Sequence, residues 1–447
     1  MPPGGVNIST PMPGANPGTG ASTSAYSHSR GRSRRFGTRS TATCAAGATD
    51  GLRGVASGTL GRRERSVCPA GPRACGGAEL IARLNPASCP LPDIRMAGRP
   101  RGLGPCHNAA MTSQPVAGLR ARELRTLGHS SVQVSRLSLG TAPLGGMYES
   151  VPDAVASELI GGALDAGLRY IDTAPHYGRG VAEERLASVL PSRDRSTFVL
   201  STKVGRLIVA VEGPADTSEF HDAKETKAVF DFSAEGVRRS IGDSLERLGL
   251  DRIDIVYIHD PDDFADQAIG EAYPVLHDLR SQGVIGAIGV GMNQSAVPAR
   301  FVRETDIDAV LLAGRYTLID QTGQADLLPL AAERGVSIVI GGVYNSGILA
   351  DPNPDAKFDY AAAPEHLIER AIAIKEVCGR HDVTLPAVAI QFPLAHPAVA
   401  TVLTGSRSLA ELAVNLEAFE VEIPSDLWAD LAETGLLVES EAALRTT

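Results

Sequence analysis

Cysteine is rare where chemistry would need it. Six cysteines occur in 447 residues, and five of them (Cys44, Cys68, Cys75, Cys89 and Cys106) fall in the first quarter at separations of 24, 7, 14 and 17. None of these separations makes a C-x2-C pair, from which zinc fingers and ribbons take two ligands in one tight turn, so no metal site is expected there. The rest of the chain holds only Cys378, which predicts a reducing, cytoplasmic setting without a disulfide framework. No run of 18 apolar residues exists, so no membrane-spanning helix is expected. No apolar core follows the N-terminus, which argues against a secretory signal.

Lysine is absent from residues 1–110, which hold 14 Arg, 4 acids, 18 Gly, 12 Pro and only two aromatics, Tyr26 and Phe36. Such a stretch buries too little apolar surface to offset chain entropy, and the expectation is disorder. Three readings stay open. Its Arg-rich, acid-poor composition is that of an organelle transit peptide, or of a basic tail for nucleic acid or anionic lipid. The third is translation upstream of a true start at Met111, and the total lack of lysine favours it. Of 42 basic and 52 acidic residues in the whole chain, residues 111–447 keep 28 and 48, a net of −20. That acidity excludes a general nucleic-acid binder.

From about residue 122 the pattern becomes regular. "RELRTL" and "VQVSRL" flank "GHSS", a hairpin signature. Eight apolar runs follow: "RLSLGTA", "LRYIDTA", "TFVLSTKVG", "IDIVYIHD", "VIGAIGVG", "AVLLAGRYTL", "SIVIGGV" and "ATVLTGS". Helical periods separate them, as at Val155, Leu159, Ile160 and Leu164, or in the stretch opened by Ser233 and closed near Gly249. Near-continuous apolar strands joined by helices imply a parallel sheet covered on the outside. Eight such units predict an α/β fold, a (β/α)8 TIM barrel over residues 120–440 with an N-terminal β-hairpin. An open dinucleotide-binding sheet would bring G-x-G-x-x-G to the first strand–helix turn, and "GTAPLGG" does not match.

In such barrels the working residues sit where strands end. Those positions hold Asp172 in "YIDTAPHYG", with Tyr177 five residues on, Lys203 in "STKVG" and His259 in "VYIHDPDD". Each alone has a bland reading: a capping Asp, a packed Tyr, a solvated Lys, a satisfied core His. Together they do not, because a barrel core tolerates buried Asp and Lys only when paired. A metal-dependent barrel hydrolase would need His-x-His or several His and Asp at strand ends, and His259 is the one histidine that stands there convincingly.

These motifs resemble the Asp, Tyr, Lys and His tetrad of the aldo-keto reductases, and the likeness runs from the hairpin at 122 to the helix after "IPSDLW". "GTAPLGG", "HDPDD", "AGRYTL" and "NSGIL" resemble the bacterial aldose 1-dehydrogenases of the L-fucose and D-threo-aldose type and their pyridoxal 4-dehydrogenase relatives. The resemblance implies a catalytic set of Asp172, Tyr177, Lys203 and His259. It also implies hydride transfer with NAD or NADP, chemistry that the cofactor supplies and the protein orients. Tyrosine, with a pKa near 10, suits proton transfer poorly until a cation lowers it, and Lys203 is expected to do so.

Cofactor contacts implied in the same way are Thr141, Asp172, Asn293, Gly405, Ser406, Arg407, Glu411 and Asn415. Backbone NH groups around Gly405, Ser406 and Arg407 suit a phosphate, the bland alternative being a plain N-capped helix. Many relatives carry a serine at Met292 and a nicotinamide-stacking tyrosine at Gly341. Glu411 stands where NADP-using relatives place a cation, so NAD is the expected preference, with Arg407 opposing it. The implied reaction oxidises a cyclic hemiacetal, an L-fucose-like sugar or pyridoxal, to a lactone. Asp260, Asp262 and Asp263 are then candidate acceptors for sugar hydroxyls, or merely a solvated loop. Two other readings remain: a general aldehyde or ketone reductase using NADPH, and a binding protein akin to potassium-channel β-subunits. The partner is a small sugar or aldehyde, and oligomeric state is not legible.

Overall fold

Eight parallel strands close on themselves in the computed structural model, which describes residues 120–211 and 219–437. The Arg/Gly/Pro-rich head expected at 1–110 lies outside the described residues. The barrel strands are β1 (Leu137–Gly140), β2 (Tyr170–Asp172), β3 (Val199–Val204), β4 (Ile255–His259), β5 (Ala287–Met292), β6 (Ala309–Ala313), β7 (Ser337–Gly341) and β8 (Val399–Gly405). Each pairs with its successor, and β8 returns to β1 from Val402↔Leu137 to Gly405↔Gly140. The expected (β/α)8 barrel is therefore present, with all eight anticipated strands in place. Their side chains are buried along β3, β4 and β5, as a sheet covered on both faces requires.

The helices form where the sequence supplies both a start and a stop. Ala234–Leu248 begins at Ser233, whose Oγ accepts from the Gly236 amide at 3.1 Å. It ends at Gly249, in the left-handed region at φ 62°, where a side chain would be strained. Val237, Ile241, Ser244 and Leu248 lie on its buried face, at the spacing of a stripe turned toward the sheet.

The barrel interior is closed at its N-terminal end. Leu127, Val132 and Val134, from the hairpin Leu124–Thr126 with Gln133–Ser135, join Tyr170, Val199, Ile255 and Tyr257 in one inner cluster. That plug leaves the C-terminal ends of the strands as the open end. Two insertions stand there: a hairpin after β3 (Arg206–Ala210 with Thr226–Phe230) and a short pair after β7 (Lys357–Phe358 with Ala361–Ala362).

Backbone strain gathers at the same end. Among the described residues, Tyr148, Arg179, Asp260, Asn345, Ser346, Asp359 and Tyr360 hold positive φ in loops that follow β1, β2, β4 and β7. Side chains rarely adopt that region, and where they do a site often profits.

Candidate active site

The period of two along a strand decides what faces the interior. Asp172 ends β2, Lys203 lies near the end of β3 and His259 ends β4. Tyr177 arrives from the turn after β2, where Gly178 (φ 61°), Arg179 (φ 53°) and Gly180 (φ 97°) reverse the chain. Glycine is required at 178, because a Cβ there would sit 2.6 Å from the Gly145 carbonyl oxygen.

Lys203 is the hub. Its Nζ donates to Asp172 Oδ2 at 2.7 Å, to the Thr173 carbonyl at 2.9 Å and to Tyr177 Oη at 3.0 Å. Lys203 and Asp172 are each only 1% exposed. Two charges so deeply buried survive because each is paired and further hydrogen-bonded. Burial disfavours the Lys203 ammonium, yet Asp172 and Tyr177 hold its pKa above the usual value. The His259 ring stands edge-on to Tyr177 at 6.2 Å. Burial, then Lys203, Arg206 and His176, push its pKa well below the ordinary histidine range. His259 is a neutral imidazole.

Tyr177 departs from expectation. Lys203 does lower its pKa, but burial outweighs that, Asp172 opposes it too, and the net direction is upward. Tyr177 is therefore a protonated phenol at neutral pH.

A cavity of about 460 Å³ opens beside this group, lined among others by Gly140, Asp172, Tyr177, Asn293, Gly341, Tyr344 and Thr404. Two buried side chains on its wall, Thr404 through Oγ1 and Asn345 through Oδ1, have no hydrogen-bond partner. Gly140, Gly314, Gly341, Gly342 and Gly405 bare the backbone along it. Unpaired buried polar atoms beside exposed backbone are what a polar ligand of dinucleotide type would satisfy, so the residues present fit a nicotinamide cofactor.

Of the anticipated cofactor residues, Asp172, Asn293, Gly405, Arg407 and Glu411 line this cavity. Thr141 does not: its amide and hydroxyl both donate to the Asp172 carbonyl, at 3.0 and 2.9 Å, so it braces the end of β2. Ser406 and Asn415 are buried and bonded to each other, Asn415 Nδ2 donating to Ser406 Oγ at 3.2 Å. Asn415 Oδ1 accepts from Tyr344 Oη at 2.9 Å. The Arg407 amide, expected to be open to a phosphate, donates to Glu411 Oε2 at 2.8 Å. Ser408 caps the helix that follows, its Oγ accepting from the Glu411 amide at 3.3 Å.

Next to Tyr177 and His259 stand groups that sequence reasoning passed over. Arg206, from the hairpin after β3, donates to Asp260 Oδ2 at 2.6 Å and lies 3.1 Å from His176 Nε2. His176 in turn meets Glu219 at 2.9 Å. Phe220 packs against both His176 and Tyr177. Of the three acids after His259, Asp260 belongs to this cluster, whereas Asp262 and Asp263 are exposed on the rim. Tyr148 and Tyr360 meet across the mouth with stacked rings 6.2 Å apart. The only signal for these residues was their place in long loops after strands.

The aldo/keto reductase family model matches residues 136–435. A D-threo-aldose 1-dehydrogenase from Pseudomonas sp is 42% identical over 316 residues, covering 69% of this chain and 96% of the relative. A pyridoxal 4-dehydrogenase from Microbacterium luteolum is 40% identical over 341 residues, covering 71% of this chain and 99% of the relative. Among solved structures, an aldo-keto reductase from Bacillus halodurans in its holo form superposes with a TM-score of 0.57 at 26% identity, covering 70% of this chain and 95% of that one. With a buried Asp–Lys–Tyr group and a histidine at the strand ends of a closed eight-stranded barrel, this chain belongs to the aldo/keto reductase family and is an NAD(P)-dependent oxidoreductase.

Proposed function

We propose that the barrel oxidises a cyclic hemiacetal to a lactone, with threo-configured aldoses such as L-fucose as first substrates and pyridoxal as second, and with NAD preferred. The observation that carries this reading is the Lys203–Tyr177 contact at 3.0 Å beside a ring of hydrogen-bonding groups: His176, Arg206, Glu219 and Asp260. The names of the two relatives support the substrate class. Asn293, Thr404 and Arg407, which line the cavity, would hold a dinucleotide, and that group would supply the hydride acceptor.

The residues supply the proton chemistry. Tyr177 must first ionise against its raised pKa; the lactol hydroxyl then gives its proton to that phenolate as its carbon gives up hydride, and the C–O bond becomes a carbonyl. Lys203 stabilises that phenolate, and Asp172 holds Lys203 in reach. Neutral His259 hydrogen-bonds the reacting or ring oxygen. Cys378 takes no part, since burial pushes its thiol up to about 12. Its free state suits the cytoplasmic location this reading assumes.

One observation favours a second reading, carbonyl reduction with NADPH: the protonated Tyr177 phenol is the acid that reduction needs. A panel followed at 340 nm in both directions separates the two. L-fucose or L-galactose with NAD should exceed a plain aliphatic aldehyde by at least ~10²-fold in kcat/KM, because sites built for hydroxyls reject analogues without them. If simple aldehydes with NADPH prove best, the second reading replaces the first.

A further inference from the structure

Beneath the reacting group lies a second polar layer. Two residues before Asp172 on β2 is Tyr170, two before Lys203 on β3 is Ser201, and two before His259 on β4 is Tyr257. The period of two turns all three into the barrel, one pleat below the residues of the reacting group. Register brings them together, since Asp172 pairs with Ser201 and Lys203 with Tyr257. Ser201 Oγ donates to Asp172 Oδ1 at 2.6 Å, the oxygen that Lys203 leaves free. Tyr170 Oη lies 3.0 Å from Ser201 Oγ and 3.2 Å from Tyr257 Oη. All three residues are fully buried.

The donor direction follows from the first link. Ser201 spends its hydrogen on Asp172, so its oxygen accepts from Tyr170, and the Tyr170 oxygen accepts from Tyr257. Burial raises the pKa of both phenols, so they remain donors throughout the working range. Space is reserved for the chain's end: Gly289 on β5 pairs with Tyr257, and a Cβ there would fall 2.4 Å from the Tyr257 ring.

We propose that Ser201, Tyr170 and Tyr257 form a hydroxyl relay that draws the charge of Asp172 away from Lys203 and so makes Tyr177 easier to ionise. They are positioning residues, acting through Asp172, and the proposal rests on Tyr177 being the proton-transfer group. The relay works because hydrogen bonds in a dry interior polarise one another. Without it the Asp172 charge concentrates on the oxygen facing Lys203, cancels more of the ammonium's field and leaves the phenolate less favoured. Tyr177 is also faced by His259 and Asp260 from the end of β4 and by Tyr360 across the mouth, with His176 beyond against His259. Tyr257 is faced by Asp308 ahead of β6. None of these groups changes when Ser201 loses its hydroxyl.

The test compares Ser201→Ala, Ser201→Thr, Tyr257→Phe and Tyr177→Phe in the full chain. Two readouts are followed: the pH dependence of kcat/KM for NAD-linked oxidation of pyridoxal or L-fucose, and the ¹³Cζ resonance of Tyr177, identified by its loss in Tyr177→Phe. Ser201→Ala should raise the apparent Tyr177 pKa by about half a unit or more, a ~3-fold loss of kcat/KM at neutral pH with KM for the nucleotide unchanged. Ser201→Thr should restore it, and Tyr257→Phe should produce a smaller shift of the same sign. An unmoved pKa in Ser201→Ala overturns the relay, whether or not activity falls. If Ser201→Ala does not fold, an unmoved pKa in Tyr257→Phe decides in the same way. Activity retained by Tyr177→Phe would overturn the proton-transfer role instead, while the resonance still reports on the relay.

Discussion

The Arg407 guanidinium is paired with the Glu411 carboxylate one helical turn away, at 2.7 Å, and is held from its other side by Glu149 of the loop after β1 at 2.6 Å. The cation best placed to greet a 2′-phosphate is already neutralised twice. A phosphate would have to displace two carboxylates and would meet their repulsion. NAD should therefore have the lower KM. Replacing both acids, Glu149→Gln with Glu411→Gln, should free Arg407 and lower KM for NADP by about tenfold, or ~1.4 kcal/mol. A wild-type KM for NADP equal to or below that for NAD would refute this.

Tyr177→Phe keeps the ring that packs on Phe220 and removes only the proton-transfer oxygen. Turnover should fall by ~10²–10⁴-fold, with nucleotide affinity, measured by fluorescence titration, nearly unchanged. A variant retaining most of its activity would remove Tyr177 from the chemistry.

His259 should make the fold sensitive to mild acid. Its pKa is depressed in the folded chain by burial first and by neighbouring cations second, so the unfolded chain binds more protons below about pH 6.5. The neutral ring costs nothing above that pH. As pH falls from about 6.5 toward the depressed value, this group makes folding progressively less favourable. Melting temperature should drop over that window, and His259→Gln should flatten the drop. An identical pH slope in the variant would show that His259 is not the group responsible.

Arg206 should matter more for hydroxylated substrates than for plain ones. It organises Asp260 and stands beside His176, and its removal takes the ion-pair partner from a half-buried carboxylate. Arg206→Ala should raise KM for L-fucose or pyridoxal about tenfold or more while changing KM for a short aliphatic aldehyde little. Equal effects on both would make Arg206 a purely structural residue.

Removing residues 1–110 should leave melting temperature and kcat/KM unchanged. The charge and composition break near residue 110, and the family match starts only at residue 136. A loss of several degrees would show that the head contributes to the fold.

Strand count and the polar residues gathered at the strand ends were legible because they depend on local pattern. Apolar runs of strand length alternating with helical periods leave few folds besides a closed barrel, and polar residues at successive strand ends mark its working end. Asp172, Lys203 and His259 could be picked out because an ionisable group ending an apolar strand is conspicuous. Tyr170, Ser201 and Tyr257 could not. A tyrosine or serine inside a strand is ordinary, and only register reveals that theirs meet.

The sequence by itself determined the barrel, its open end and the identity of the groups gathered there, because periodicity and strand termini are properties of neighbouring residues. Tertiary structure alone decided the state of those groups. Lys203 does favour the Tyr177 phenolate, as the resemblance implied, but the depth of burial sets the net direction, and burial is a sum over the whole fold. Arg407 stood in the loop as a free cation on paper. Glu411 lies within one helical turn, but its second partner, Glu149, lies far away in sequence and is brought there only when β8 closes against β1.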